Sequence, residues 1–229
     1  HACTGHSKRG KNMLKKCNTP AKRLTKSYKV GATNNLNDLF KLYDEWSQYE
    51  SDLMHVGAMG PVGIPAMMYK HVNPKAKILE VGCGPGNIGR FLNLLKFKKI
   101  YGIDGSKQMV KRANKTGYFK KVYKGIVNAD NKLPVKNIDA IIGVGVFTVG
   151  HFPAGTMKNC FDQLKSGGYI CFNSPQKVLD TIYKEDLKYI KKHSTLIDVS
   201  EWALQAAFSE VGHRFPARCY LYQKEAKIV

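Results

Sequence analysis

The chain has 229 residues, and its 37 Lys and Arg against 17 Asp and Glu give a formal net charge of +20. That length accommodates one domain with a large core and some attachments. No apolar run reaches membrane-spanning length, and the opening HACTGHSKRGKNMLKKC has no hydrophobic segment of the kind a secretory signal needs; a first residue of His rather than Met suggests a processed or trimmed product.

Residues 1–33 are polar, basic and aperiodic, and read as a tail open to disorder. Nine Lys or Arg and no acid fall within residues 1–30. Such an arm could bind nucleic acid or an anionic membrane surface. Lys outnumbers Arg 31 to 6, however, and arginine-rich recognition clusters are absent, so nucleic acid is not the favoured partner. Residues 34–229 read as the folded domain, with a helical N-terminal part over 34–72 and a core over 77–229.

Asn34 or Asn35 can cap a helix from about Leu36, whose apolar residues Leu36, Leu39, Phe40, Tyr43 and Trp46 follow helical spacing. Gly57, Gly60, Pro61, Gly63 and Pro65 interrupt the next stretch, leaving a short helix over Ala66–Val72. A buried strand with Ile78, Leu79 and Val81 then runs into the turn Gly82-Cys83-Gly84-Pro85-Gly86. A helix follows, with Ile88, Phe91, Leu92 and Leu95 on one face, and a second strand over Ile100–Ile103 ends in Asp104. Further along, the spacing predicts a helix over Ser106–Ala113, a strand over Val122–Val127 and a fully buried strand over Ile138–Phe147. Next come a helix over Gly155–Leu164 stopped by Ser166-Gly167-Gly168, a strand over Tyr169–Asn173 and a helix over Leu179–Lys191. The last part alternates strands near Ser194–Val199 and Arg218–Gln223 with a helical Glu201–Phe208. The alternation predicts a doubly wound, mostly parallel α/β sheet.

Residues 77–105 form a βαβ unit with a nucleotide-type turn. The free N–H groups of the helix start and the glycine turn let a ligand approach the backbone. Asp104 can accept hydrogen bonds from both hydroxyls of a ribose. Gly84, Gly86 and Gly89 also fit a dinucleotide pattern, but Glu80 stands two residues before the first glycine, where a carboxylate would repel a pyrophosphate. The pattern E-x-G-x-G-x-G with an acidic second strand end resembles motif I of class I S-adenosylmethionine (SAM) methyltransferases. That resemblance implies a seven-stranded, Rossmann-like sheet and SAM as cofactor, with S-adenosylhomocysteine as product. It places Glu80 beside the positive methionine end, and Gly82, Cys83, Gly84 and Gly86 around the cofactor.

Asp104-Gly105-Ser106 and the following sequence resemble the family's D-x-S-x-x-M, in which Met109 would pack on adenine. The loop after strand three offers Asn128 or Asp130 for the adenine amino group, with Asp130 slightly favoured. Val144 and Gly145, at the end of strand four, would lie along the methionine end. LKSGGYICF resembles the family's L-K-P-G-G motif. Y-D-x-W-x-x-Y over Tyr43–Tyr49 and G-H-x-P over Gly150–Pro153 resemble the Williams–Beuren syndrome region methyltransferase-like subgroup. There the N-terminal helix folds over the cofactor as a lid, which carries over to Tyr43 and Tyr49; their faces can also attract a sulfonium. Trp46 fits simple packing on the sheet equally well.

His151 follows the strand-four end and is the best candidate for a substrate contact or general base, although a loop histidine that only fixes backbone fits as well. Tyr49 is the second candidate catalytic group. No His, Asp and Glu cluster has metal-ligand spacing, so no metal is expected. D/N-P-P-Y/F, the mark of many amino-directed nucleic-acid enzymes, is absent. The favoured expectation is methyl transfer to an O, N or S atom of a small molecule. RNA or protein methylation through the basic arm, and SAM binding without catalysis, stand as alternatives. Six cysteines without a C-x-x-C pair suit reduced thiols in the cytoplasm better than disulfides or zinc.

Overall fold

The computed structural model describes residues 35–55, 60–201, 203–208 and 213–226. The basic tail over 1–33 lies outside them, as do Asn34, Gly57, Cys3 and Cys17. Three helices come first: α1 (Leu36–Asp44), α2 (Tyr49–His55) and α3 (Gly60–His71). Then follow β1 (Lys77–Val81), α4 (Asn87–Leu94), β2 (Lys99–Asp104), α5 (Lys107–Lys115), β3 (Lys121–Lys124), β4 (Ile138–Gly143), α6 (Thr156–Asp162) and β5 (Leu164–Ser174). The chain closes with α7 (Gln176–Leu179), α8 (Lys184–Lys192), β6 (Ser194–Val199), β7 (Ala203–Phe208) and β8 (His213–Lys224).

Seven strands form the main sheet in the order β3-β2-β1-β4-β5-β8-β6. The pairs from β3 to β5 are parallel, and β8 runs antiparallel between β5 and β6. β7 stands off this path and pairs with β8. This is the class I methyltransferase sheet, with β8 as its reversed strand. The order reverses at β1 and β4, and ligands in such sheets sit beyond the carboxyl ends of strands at that switch point.

The strand period of two sorts the core into two layers. Ile78, Ile100, Ala140, Ile142, Cys171 and Leu221 pack with Ile64 and Met68 of α3 and Ile88 and Leu92 of α4. Leu79, Val81, Ile141, Phe172, Tyr220 and Tyr222 pack with Met157 and Phe161 of α6 and Leu187 and Ile190 of α8. Each such buried Leu or Ile contributes roughly 1.5–3 kcal/mol. Leu39 and Trp46 form a separate small cluster under the N-terminal helices.

Several elements differ from expectation. α3 begins at Gly60 rather than Ala66. Pro61 stands in the first turn, where an N–H has no helical partner, and the buried face of Ile64, Met67 and Met68 outweighs the bond lost at Pro65. β3 ends at Lys124 rather than Val127, and β4 at Gly143 rather than Phe147, because the chain after each turns to line a cavity. The apolar run over 144–147 marks a buried loop, and Ser174 Oγ donates to the Phe147 carbonyl at 2.8 Å. β5 starts at Leu164, and the α6 helix ends two residues earlier; Ser166-Gly167-Gly168 is a bulge in the strand, where the register to β4 shifts. The helix expected over 179–191 is split, because fully buried Tyr183 stands in the break and its hydroxyl donates to the Phe152 carbonyl at 2.5 Å. The expected helix over 201–208 is the strand β7: ladder bonds to β8 override the local helical pattern.

Candidate active site

Strands β1, β2 and β4 deliver their carboxyl ends to one cavity of about 100 Å³, closed from the other side by α1 and α2. Tyr43, Tyr49, Gly82, Gly84, Asp104, Gly105, Met109, Val144, Gly145 and His151 all line it. Ten of the sixteen expected site residues are therefore brought together, from positions 43 to 151.

Asp104 is held by its own backbone surroundings. One carboxyl oxygen accepts from Gly84 N and the other from Ser106 N, both at 2.8 Å. Burial raises the pKa of this carboxyl, and those two bonds oppose the shift. Gly82 must be glycine: its φ is +66°, and an added Cβ would lie 2.4 Å from Val146. Gly105 answers to a different contact, since a Cβ there would fall 2.1 Å from the Phe40 ring of α1.

Glu80, Cys83, Gly86 and Ser106 do not line the cavity. Glu80 is 2 % exposed, and one carboxyl oxygen, Oε2, is buried without a hydrogen-bond partner. Burial first, and the neighbouring Asp104 second, push its pKa well above the usual carboxylate range. Cys83 is a buried thiol whose pKa burial raises, packed on the Gly102 backbone. Ser106 caps α5 through Met109 N at 3.0 Å and donates to Asp44 Oδ1 at 2.5 Å. Gly86 is the left-handed cap residue of α4. Asn128 spends its amide oxygen on Asp130 N and Asn131 N within the loop, and Asp130 is exposed.

The polar groups on the cavity's far wall form a pair. Tyr43 Oη lies 2.8 Å from His151 Nε2, and His151 Nδ1 lies 3.1 Å from the Val149 carbonyl. A carbonyl only accepts, so the proton sits on Nδ1 and Nε2 presents its lone pair to the Tyr43 hydroxyl, which donates. Burial lowers the His151 pKa and keeps the ring neutral. Burial likewise raises Tyr43 and Tyr49, with nearby acids adding to both. Tyr49 meets Tyr43 and Trp46 edge-on, at 5.8 and 5.0 Å between ring centroids. Trp46 donates to Asp52 at 2.8 Å and is buried, as simple packing would have it.

The N-terminal helices are tied to α5. Asp44 Oδ1 also accepts from Gln108 N at 3.0 Å, and Arg112 donates to the Trp46 carbonyl at 3.1 Å and pairs with Glu50. Among the described residues no Lys or Arg lines the cavity, and none form a cluster that could hold a metal ion. Asp104 and two aromatic faces on the wall, with the buried Glu80 carboxyl beside Asp104, favour a cationic guest. The orphaned Glu80 oxygen and the glycine-lined β1 turn thus fit a sulfonium cofactor that also carries an ammonium group.

Leu36, Leu39, Phe40, Ile103, Gly125, Ile126, Val127, Val146 and Phe152 line the cavity without having been expected there. Their only sequence signal is the helical stripe of α1 and the apolar ends of β3 and β4, which read equally as core.

The profile of the methyltransferase domain family matches residues 72–227. Methyltransferase-like protein 27 of Homo sapiens is 25% identical over 168 residues, 70% of this chain and 68% of that protein. Among solved structures, TehB from Haemophilus influenzae superposes with a TM-score of 0.56 at 19% identity, over 70% of this chain and 61% of that one. The present chain thus spans less than two thirds of TehB. Magnesium protoporphyrin IX methyltransferase (ChlM) from Synechocystis PCC 6803, solved with bound SAH, gives 0.55 at 14% identity, over 77% and 87% of the two chains. These two structural likenesses speak for the fold alone.

Proposed function

This chain belongs to the methyltransferase domain family and is a SAM-dependent methyltransferase, and from that premise we propose that it methylates an O, N or S atom of a small molecule. The observation that carries this reading is the Tyr43–His151 pair on the wall of a small cavity that, among the described residues, no Lys or Arg lines. A methyl acceptor enclosed there is of metabolite size, and neutral or cationic rather than a phosphate or carboxylate.

When bound, SAM supplies a methyl group already activated on a sulfonium sulfur. The chain's own residues bind, orient and exclude water. Asp104 is the group for the ribose hydroxyls, and Glu80 offers its free oxygen to the positive methionine end. The backbone of Gly82, Cys83, Gly84, Gly86, Val144 and Gly145 allows close approach, with Gly105, Ser106 and Met109 on the adenosine side. Asn128 or Asp130 serves the adenine amino group after a loop adjustment. Tyr43 and Tyr49, which line the cavity from α1 and α2, would face the sulfonium.

His151 is the general base. Its Nε2 lone pair would take the acceptor's proton, with Tyr43 holding the ring until the acceptor hydrogen replaces its own; bound SAM would supply the methyl through cleavage of its sulfonium S–CH3 bond and leave as S-adenosylhomocysteine. The Y-D-x-W-x-x-Y segment and the 25% identity to the human protein support placement near the Williams–Beuren subgroup. Four buried free cysteines support a reducing, cytoplasmic setting, and among the described residues no helix is long and apolar enough to cross a membrane.

The test is methyl-labelled SAM with a panel of hydroxyl, thiol and amine metabolites. Label should enter at least one small molecule, and His151→Asn should lower kcat about 10²–10⁴-fold. Catalysis needs neutral His151, and burial lowers its pKa, so activity should fall only as pH drops below the ordinary histidine value of 6.5. Label found in RNA or protein fractions alone would overturn the small-molecule reading.

A further inference from the structure

Away from the cavity, the positive charge is concentrated rather than spread. Beyond residue 34 the chain carries 28 Lys and Arg against 17 acids, a net +11. The 25 residues Gly105–Ala129 hold seven of those cations (Lys107, Lys111, Arg112, Lys115, Lys120, Lys121 and Lys124) and no acid. A general preference for lysine would scatter this charge along the chain. Here +7 of the +11 comes from α5, β3 and their flanking loops.

The fold gathers these residues on one edge. β3 is the terminal strand of the sheet, and α5 crosses over to it from β2. Lys107, Lys111 and Lys115 recur at i, i+4 and i+8, about 6 Å apart along the helix axis on one face. All six lysines are exposed, and among the described residues none of them forms an ion pair. Arg112 is the exception, committed to Glu50 and the Trp46 carbonyl. Half-buried Tyr118 stands between α5 and β3, whereas Tyr123 packs on the opposite face of β3 against the main core, with Lys121 Nζ 4.7 Å from its ring centroid. The stripe reaches the cavity, since Gly105 before α5 and Gly125–Val127 after β3 both line it.

We propose that the β3–α5 edge is a docking surface for single-stranded nucleic acid, with lysines on the phosphates and Tyr118 as a base platform. An anionic membrane fits less well, because Met109 and Ala113 of α5 turn inward and leave no apolar face to insert. Lysines on β3 alone would also discourage edge-to-edge pairing, but that role does not require the three on α5. The surface goes beyond the small-molecule reading and stands whichever acceptor is methylated.

The test uses the full chain and a labelled 12-nucleotide single-stranded RNA, followed by fluorescence anisotropy between 50 and 200 mM salt. The combined Lys107→Glu, Lys111→Glu and Lys115→Glu variant should bind at least about tenfold more weakly. Its salt slope should fall by about 2, as three lost phosphate contacts predict. The milder Lys→Gln triple should show the same direction with an unchanged melting curve and SAM affinity, which separates lost contacts from lost folding. A full-length variant with the nine cations of residues 1–30 changed to Gln should still lose affinity when the α5 lysines are reversed. Wild-type affinity in the α5 variant overturns the proposal. So does binding abolished by the tail changes alone, or binding to phosphatidylserine vesicles without binding to the RNA.

Discussion

Glu80 is a site residue whose burial carries an electrostatic cost. Its carboxyl is buried with one oxygen unpartnered, and its pKa is raised by burial and by Asp104. The folded chain therefore holds a proton there that the unfolded chain releases above the ordinary value of 4.5. The folded state binds more protons, so this group's contribution to stability falls as pH rises from that ordinary value toward the raised one. Glu80→Gln removes the titration. Without cofactor at neutral pH, the variant should melt about 2–4 °C above wild type, the shift that roughly 1 kcal/mol gives in a domain of this size. The difference should close near pH 4, and SAM binding should weaken. Thermal melts from pH 4 to 8 check this; a difference independent of pH would contradict it.

Elements explain why the site is only partly visible in the chain. The β1 turn, Asp104 and Met109 lie within one βαβ unit and the helix that follows it, whose pairing of β1 with β2 brings them together. Phe40, Ile126 and Phe152 join them through tertiary packing, and in the sequence they cannot be told from core. The same limit applies to β7, whose pairing with β8 outweighs its helical pattern, and to the split before α8, decided by the buried Tyr183.

α1 is the element on which access turns. With Phe40 seated on Gly105, the cavity of about 100 Å³ is smaller than the roughly 300 Å³ at which small-ligand pockets begin. A shift of α1 on cofactor entry is the movement that this contact predicts. Gly105→Ala forces the same movement, because the new Cβ meets the Phe40 ring. Amide exchange in Leu36–Asp44 should rise about tenfold, while the melting temperature changes little, since Leu39 and Trp46 belong to a cluster apart from the main core. Unchanged exchange in α1 would show that the helix is not a lid.

At the scale of the whole molecule, sheet order and chemistry agree. Reversal at β1 and β4 opens a crevice at their carboxyl ends, and Asp104, the glycine turn and the Tyr43–His151 pair meet there. The parallel core was legible because its strands are continuous apolar runs between glycine turns; at the far edge β6 and β8 were legible as strands and β7 was not, because its pairing is non-local. Every role assigned to the site depends on SAM lying across β1 and β2, with its ribose on Asp104. Isothermal titration of SAM into wild type and Asp104→Ala tests that directly. Binding in the variant should be at least about tenfold weaker, about 1.4 kcal/mol or more for a charge-assisted hydrogen-bond pair. Equal affinity in the two proteins would contradict it.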